Sequence, residues 1–188
     1  MGWTVRPEVP AVLLHYSEDA DIREFRPHVP RSNPGVAPAV WAIDPARAPL
    51  YWFPRNCPRV AVWANDAGGA DRLRALFATE ATRVQAIPVE WRDAVDDCRL
   101  YEYRFAAGPF SPWPDAEGQW VAHEPVVAES IEPVGPLVQK HAAAGIELRF
   151  VDDLPQLRTQ ALACGLPFSI VRFPDLGTFP GSGRVEGT

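Results

Sequence analysis

Prolines stand at Pro27, Pro30, Pro34 and Pro38, again at Pro45, Pro49, Pro54 and Pro58, and again at Pro109, Pro112 and Pro114, out of 21 in the chain. Each fixes φ and deletes a backbone donor, so neither a long helix nor a broad central strand survives that spacing. The chain is therefore built from many short elements joined by shaped loops. It still has the means to form a core, because 47% of its residues are hydrophobic and seven are tryptophan, a composition of folded globules rather than disordered tails. At 188 residues it can bury that core without staples. One α+β domain over residues 1–174 and a flexible tail over 175–188 are expected.

The apolar runs between the prolines predict the elements. Val12–Tyr16 (VLLHY), Ala39–Ile43 (AVWAI) and Arg59–Ala64 (RVAVWA) read as strands, followed by Arg83–Val89, Ile146–Val151 and Phe168–Phe173. Arg99–Phe105 (RLYEYRF) and Gln119–Val127 (QWVAHEPVV) alternate apolar and polar residues, the period of half-buried strands. In the second, Trp120, Ala122 and Glu124 share one face. Asp44 followed by Pro45 signals a helix start, with a short helix to Trp52. Further helices are expected over Asp71–Ala78, Pro133–Ala144 before Gly145, and Leu154–Ala163 before Gly165, with a helical turn at Trp91–Val95. Pro27–Pro38 is a loop, and Met1–Val9 reads as a loose arm. Alternating strands, with no GxGxxG and no GxxxxGK[ST], point to α+β with a mixed, largely antiparallel sheet rather than a doubly wound fold.

Charge and cysteines narrow the function classes. A net charge of −6 gives no general attraction to phosphate backbones, so nucleic acid is unsupported as a partner. No apolar run is long enough to span a bilayer, and a soluble, cytoplasmic protein is expected. Cys57, Cys98 and Cys164 lack the paired spacing of zinc sites and read as buried thiols, with Cys57 between Arg55 and Arg59 as the one candidate nucleophile. A metal on His15, Asp19 and His28 matches no defined ligand spacing.

Four places carry candidate chemistry. His15 ends an apolar strand in HYSED, beside Ser17, Glu18 and Asp19, where it is either tied to backbone or set at a site. Glu124 is either a surface glutamate beside a proline or a carboxylate on an inner strand face, able to stabilise a cationic transition state. Tyr51, Trp52 and Phe53 cannot all face one way, so one ring is free to line a cleft. Arg55 and Arg59 either anchor the proline break or meet a phosphate.

The chain resembles an uncharacterised bacterial domain family marked by HxSED, VWAID, LYWFPRxCPR and FSIxR patterns, over nearly its whole length to about Phe173. More remotely, the order of its motifs is similar to the His-Tyr-Glu branch of the ADP-ribosyltransferase superfamily, which includes diphtheria-type toxins and RNA 2′-phosphotransferases. That likeness implies two small packed sheets and NAD, as substrate, or a related nucleotide. In it His15 and Ser17 would hold the nicotinamide side and ribose and Tyr51 would stack on nicotinamide; Arg55, from its own position at the proline break, is the candidate for a phosphate of such a ligand. Glu124 would orient the ribose and stabilise the oxocarbenium-like charge as the nicotinamide bond breaks, with Glu129 and Glu132 as rivals for that role. A second tyrosine of the superfamily has no counterpart near Ala61–Trp63, and Ala122 stands where protein-modifying members carry Arg, Gln or Glu. The acceptor is left open. The alternative is a non-catalytic binding module on the same scaffold, and a weaker third option is a hydrolase using Cys57 or a His15-centred metal.

Overall fold

A computed structural model describes residues 10–30 and 34–173. The expected N-terminal arm, the 175–188 tail and part of the proline loop lie outside these residues. The chain forms two compact units, one of Met1–Phe53 with Cys98–Leu137 and one of Pro54–Asp97 with Val138–Thr188.

In the first unit, β1 (Val12–Ser17), β2 (Val40–Ile43), β5 (Tyr101–Ala106), β6 (Ser111–Pro112), β7 (Gln119–Ala122) and β8 (Ser130–Pro133) form one sheet in the order β6-β7-β2-β1-β5-β8. Every pairing in it is antiparallel. Leu13, Val40, Tyr103, Phe105, Trp120 and Ala122 point to one face and make a core with Phe25 and Phe110. Leu14, Ile43 and Ala48 form a smaller cluster, with Tyr16 and Tyr51 packed against it. The period of two thus divides each strand between two apolar environments.

The sheet is not uniformly closed. β1 matches β5 over six residue pairs, from Val12↔Ala106 to Ser17↔Tyr101. β2 matches β7 over four, from Val40↔Ala122 to Ile43↔Gln119. Between β1 and β2 only Leu14↔Ile43 is in register. The ladder opens there, in the middle of the sheet.

The second unit carries β3 (Arg59–Trp63), β4 (Arg83–Pro88), β9 (Ile146–Val151) and β10 (Phe168–Val171) in the order β10-β3-β4-β9, with β4 and β9 parallel. Helices α1 (Ala67–Phe77) and α4 (Leu154–Ala163) pack on β3. Leu73, Phe77, Leu154, Leu157 and Ala161 meet Val60, Val62, Val84 and Ala86 of the sheet. Short α2 (Arg92–Asp97) follows a 3₁₀ turn at Val89–Trp91. Helix α3 (Leu137–Ala143) precedes Gly145, whose φ of +69° allows the left-handed turn into β9.

The fold is α+β with largely antiparallel sheets, as the alternation indicated. Four details differ. Asp44 starts a turn rather than an α-helix: its carboxylate accepts the Arg47 N–H at 2.8 Å, and only Ala48–Tyr51 is helical, as one 3₁₀ turn. Pro49 within that turn has no donor to extend it. Helix α1 begins earlier than expected, at Ala67, because the Asp66 carboxylate caps it through the Gly69 N–H at 2.7 Å. Helix α3 begins at Leu137 rather than at Pro133, because Pro133 ends the edge strand β8. Strand β7 stops at Ala122, since the chain then turns to pair Val126 with Phe25. Among the described residues, no helix is long and apolar enough to cross a membrane.

Candidate functional site

The opening between β1 and β2 is a cavity of about 80 Å³, walled by Leu14, His15, Tyr16, Trp41, Tyr51 and Gln119 among others. Its position follows from the register. Past Leu14↔Ile43 the main chains no longer exchange hydrogen bonds along a continuous ladder, and the His15 ring enters the space. Its Nδ1–H donates to the Trp41 carbonyl at 2.9 Å. A carbonyl only accepts, so Nδ1 carries a proton. Phe25 meets the imidazole edge-on, with ring centroids 4.9 Å apart, and restricts its rotation.

Tyr51 ends the 3₁₀ turn that Asp44 starts. Its hydroxyl accepts a hydrogen bond from the Gln119 side-chain amide at 3.2 Å. Gln119 opens β7, so the ring of Tyr51 is tied to the far side of β2. Trp41 closes another wall. Its buried indole N–H has no acceptor among the described residues, and leaving such a group unpaired costs about 1–3 kcal/mol unless an ordered water or a ligand meets it.

Tyr16 completes the lining. Its hydroxyl donates to the Glu102 carboxylate at 2.7 Å, and Arg104 donates to the other oxygen of the same group at 3.0 and 2.9 Å. Glu102 is 8% exposed, a buried anion held by two partners. Burial, and then the bond to that carboxylate, push the Tyr16 phenol far above its ordinary range, against a weaker pull from the Trp52 side chain.

The cavity therefore joins His15 and Tyr51, two of the residues expected to line a nucleotide site. Ser17 is the last residue of β1, where its hydroxyl accepts the Asp19 N–H at 3.1 Å, and it is not in the lining. Glu124 is exposed beyond the end of β7 and is also outside the lining. The alternation that put it beside Trp120 and Ala122 does not continue past the strand. Glu129 and Glu132 are exposed too, but Glu132 lies directly opposite Glu102 in the β5/β8 register. Arg55 is exposed on the Pro54–Cys57 turn of the second unit, where Asn56 takes the left-handed conformation at φ +67°. Arg59 is buried and donates to the Cys57 carbonyl at 3.1 Å. Cys57 is wholly buried, and its thiol lies 3.6 Å from the Pro58 carbonyl. His28 is exposed near the Arg26 carbonyl, and no group of three or more potential metal ligands occurs among the described residues.

Trp41, Tyr16, Gln119 and Glu102 were not singled out from sequence. Only Glu102 carried a usable signal: a carboxylate between two tyrosines in the alternating RLYEYRF strand, which sets it on the face of Leu100 and Arg104. Trp41 and Gln119 acquire their roles from the pairing of the strands alone.

No curated protein and no solved structure matches the chain. The model of a family of unknown function matches residues 14–175, a span that takes in every lining residue of the cavity, and the chain belongs to that family, DUF6886.

Proposed function

We propose that the cavity between β1 and β2 receives the nicotinamide end of NAD or of a related nucleotide. The observation that carries this reading is the meeting of His15 and Tyr51 on one small cavity at the break in the sheet. At about 80 Å³ the space is well below the ~300–1,000 Å³ of pockets that enclose whole drug-sized ligands. It suits one planar ring. The Tyr51 ring offers a face for a flat cation, and the Trp41 N–H offers a donor for a carboxamide oxygen. NAD would be substrate in this reading, not a resident cofactor.

Bond cleavage asks for more than binding. Loss of nicotinamide leaves an oxocarbenium-like ribose that needs a fixed carboxylate. The superfamily likeness implies Glu124 for that role, and its exposure and absence from the lining favour a second reading, a module that binds the nucleotide without cleaving it.

Titration calorimetry with nicotinamide and with NAD, together with a nicotinamide-release assay, tests both readings. Tyr51→Ala and His15→Ala are expected to weaken binding of each ligand at least tenfold. Release that disappears in Glu124→Gln supports cleavage by that residue, and binding without release supports the module. If wild-type protein binds neither ligand at millimolar concentration, the nucleotide reading is wrong.

A further inference from the structure

A second and larger space adjoins the first. It measures about 560 Å³ and is walled by Asp44, Arg47, Trp113, Glu117, Gln119 and Trp120 among others. Gln119 belongs to both linings. Trp41 of the first wall and Trp113 of the second are in edge contact, with ring centroids 5.0 Å apart. The two spaces are therefore neighbours on the same unit.

We propose that this groove binds the nucleoside portion, base and ribose, of the nucleotide whose ring enters the smaller cavity; the assignment rests on the reading above for which ligand is involved. Size is the first argument. The small cavity holds one ring and a nucleotide has more to place, whereas about 560 Å³ lies within the usual ligand range of ~300–1,000 Å³.

Chemistry is the second argument. Trp113 is partly exposed and offers an indole face, on which every base can stack. Asp44 and Glu117 both hold the Arg47 guanidinium, the Asp44 pair at 2.9 Å. Arg47 is thus already engaged by two carboxylates, and the trio carries one net negative charge. A phosphate would be repelled. Hydroxyl and amino donors are favoured instead, because a carboxylate has about four acceptor positions and the Glu117 side chain is 85% exposed. The diphosphate of a dinucleotide would therefore stay in solvent while the ribose hydroxyls and base amino group face Asp44 and Glu117.

The groove is also held in shape. Gly118 has φ +81°, and a Cβ there would collide with the Arg47 side chain and the Asp44 carboxylate. The Gly118 carbonyl accepts the Asp44 N–H at 2.9 Å, which binds the β6/β7 turn to the turn after β2.

The test is calorimetry with three probes, nicotinamide, adenosine and NAD, on wild type, Trp113→Ala, Glu117→Gln and Tyr51→Ala. Trp113→Ala is expected to weaken adenosine and NAD about tenfold, within the ~1–3 kcal/mol of base stacking, and to leave nicotinamide unchanged. Glu117→Gln, on an exposed side chain, is expected to weaken the same two probes severalfold. Tyr51→Ala should affect nicotinamide and NAD but not adenosine. Nicotinamide binding without any adenosine binding, or NAD binding indifferent to Trp113 and Glu117, overturns the groove assignment and leaves the smaller cavity's reading standing. Adenosine binding that depends on Trp113, with no nicotinamide binding, keeps the groove and overturns the nicotinamide reading. Binding of none of the three overturns both.

Discussion

Tyr16 donates its hydroxyl hydrogen to Glu102 across the β1/β5 pair at 2.7 Å, and the two residues are also Cα partners in the ladder. One hydrogen bond thus stitches the cavity wall to a buried carboxylate that Arg104 holds from the other side. Removing the hydroxyl leaves that anion with one fewer donor. Tyr16→Phe is expected to lower stability by about 1–3 kcal/mol, the range for a bond to a buried charged group, measured by urea denaturation near neutral pH.

The same bond predicts an alkaline effect. Tyr16 has a folded-state pKa raised by burial and by Glu102 above the ordinary tyrosine value of 10.0. The unfolded chain loses this proton first. The contribution is therefore complete below about pH 10 and is lost as pH rises above it toward the folded-state value. Melting temperature should fall more steeply above about pH 10 in wild type than in Tyr16→Phe. Parallel profiles would show that Tyr16 does not carry the effect.

Cys98 should be a slow thiol. Burial first, and then the nearby Glu18 charge, push it up to about 11. At pH 8 only about one thiol in a thousand would be ionised, and the thiolate is the reacting form. Iodoacetamide should modify Cys98 far more slowly than a small free thiol, read by peptide mass spectrometry. Glu18→Gln should speed it modestly. Modification of Cys98 at the rate of a small thiol contradicts the geometry.

Gly118→Ala should destabilise the first unit. The left-handed φ costs an alanine about 1–2 kcal/mol, and the added methyl meets the Arg47–Asp44 pair. A fall in stability of about 2 kcal/mol or more is expected by denaturant titration. Gly135→Ala provides the comparison, since its φ is +82° but a methyl there meets nothing within 4 Å. Equal losses at the two positions would mean that the close approach contributes nothing.

In the second unit, Thr79 and Arg149 both donate to the Glu147 carboxylate, the Arg149 bond at 2.6 Å. Burial alone would raise this carboxyl, but the bonds from Arg149 and Thr79 and the Arg149 charge together hold it below its ordinary 4.5. Its contribution is present above about pH 4.5 and lost as pH falls through the depressed folded value. Glu147→Gln should therefore flatten the acid side of the stability profile, measured by circular dichroism from about pH 6 to 2. Partial exposure of both side chains keeps the effect small.

Much of the fold was legible because short-range rules act strongly in this chain. Ile146–Val151 and Leu154–Ala163 run to the residues expected of them, since Gly145 precedes the apolar run of the first, and Asp153 caps the start of the second while Gly165 follows its end. Where two local signals competed, the sequence misled. Asp44-Pro45 looked like a helix start, yet the carboxylate closed a turn on Arg47. His123 and Glu124 continued the alternation of β7, yet the strand ends at Ala122, and the ring Nδ1 of His123 donates to the Pro38 carbonyl at 3.0 Å.

By itself, the sequence determined the α+β class and most strands and helices. Periodicity, capping and proline spacing are local properties that each segment carries with it. Only the tertiary structure decided that β1 and β2 pair at Leu14↔Ile43 alone. The opening follows from that register, whereas the buried Tyr16–Glu102 pair follows from the β1/β5 register and the Gln119 bridge from β7 pairing with β2. Which strands share a ladder, and where it breaks, depends on packing between residues far apart in the chain, which no local pattern records.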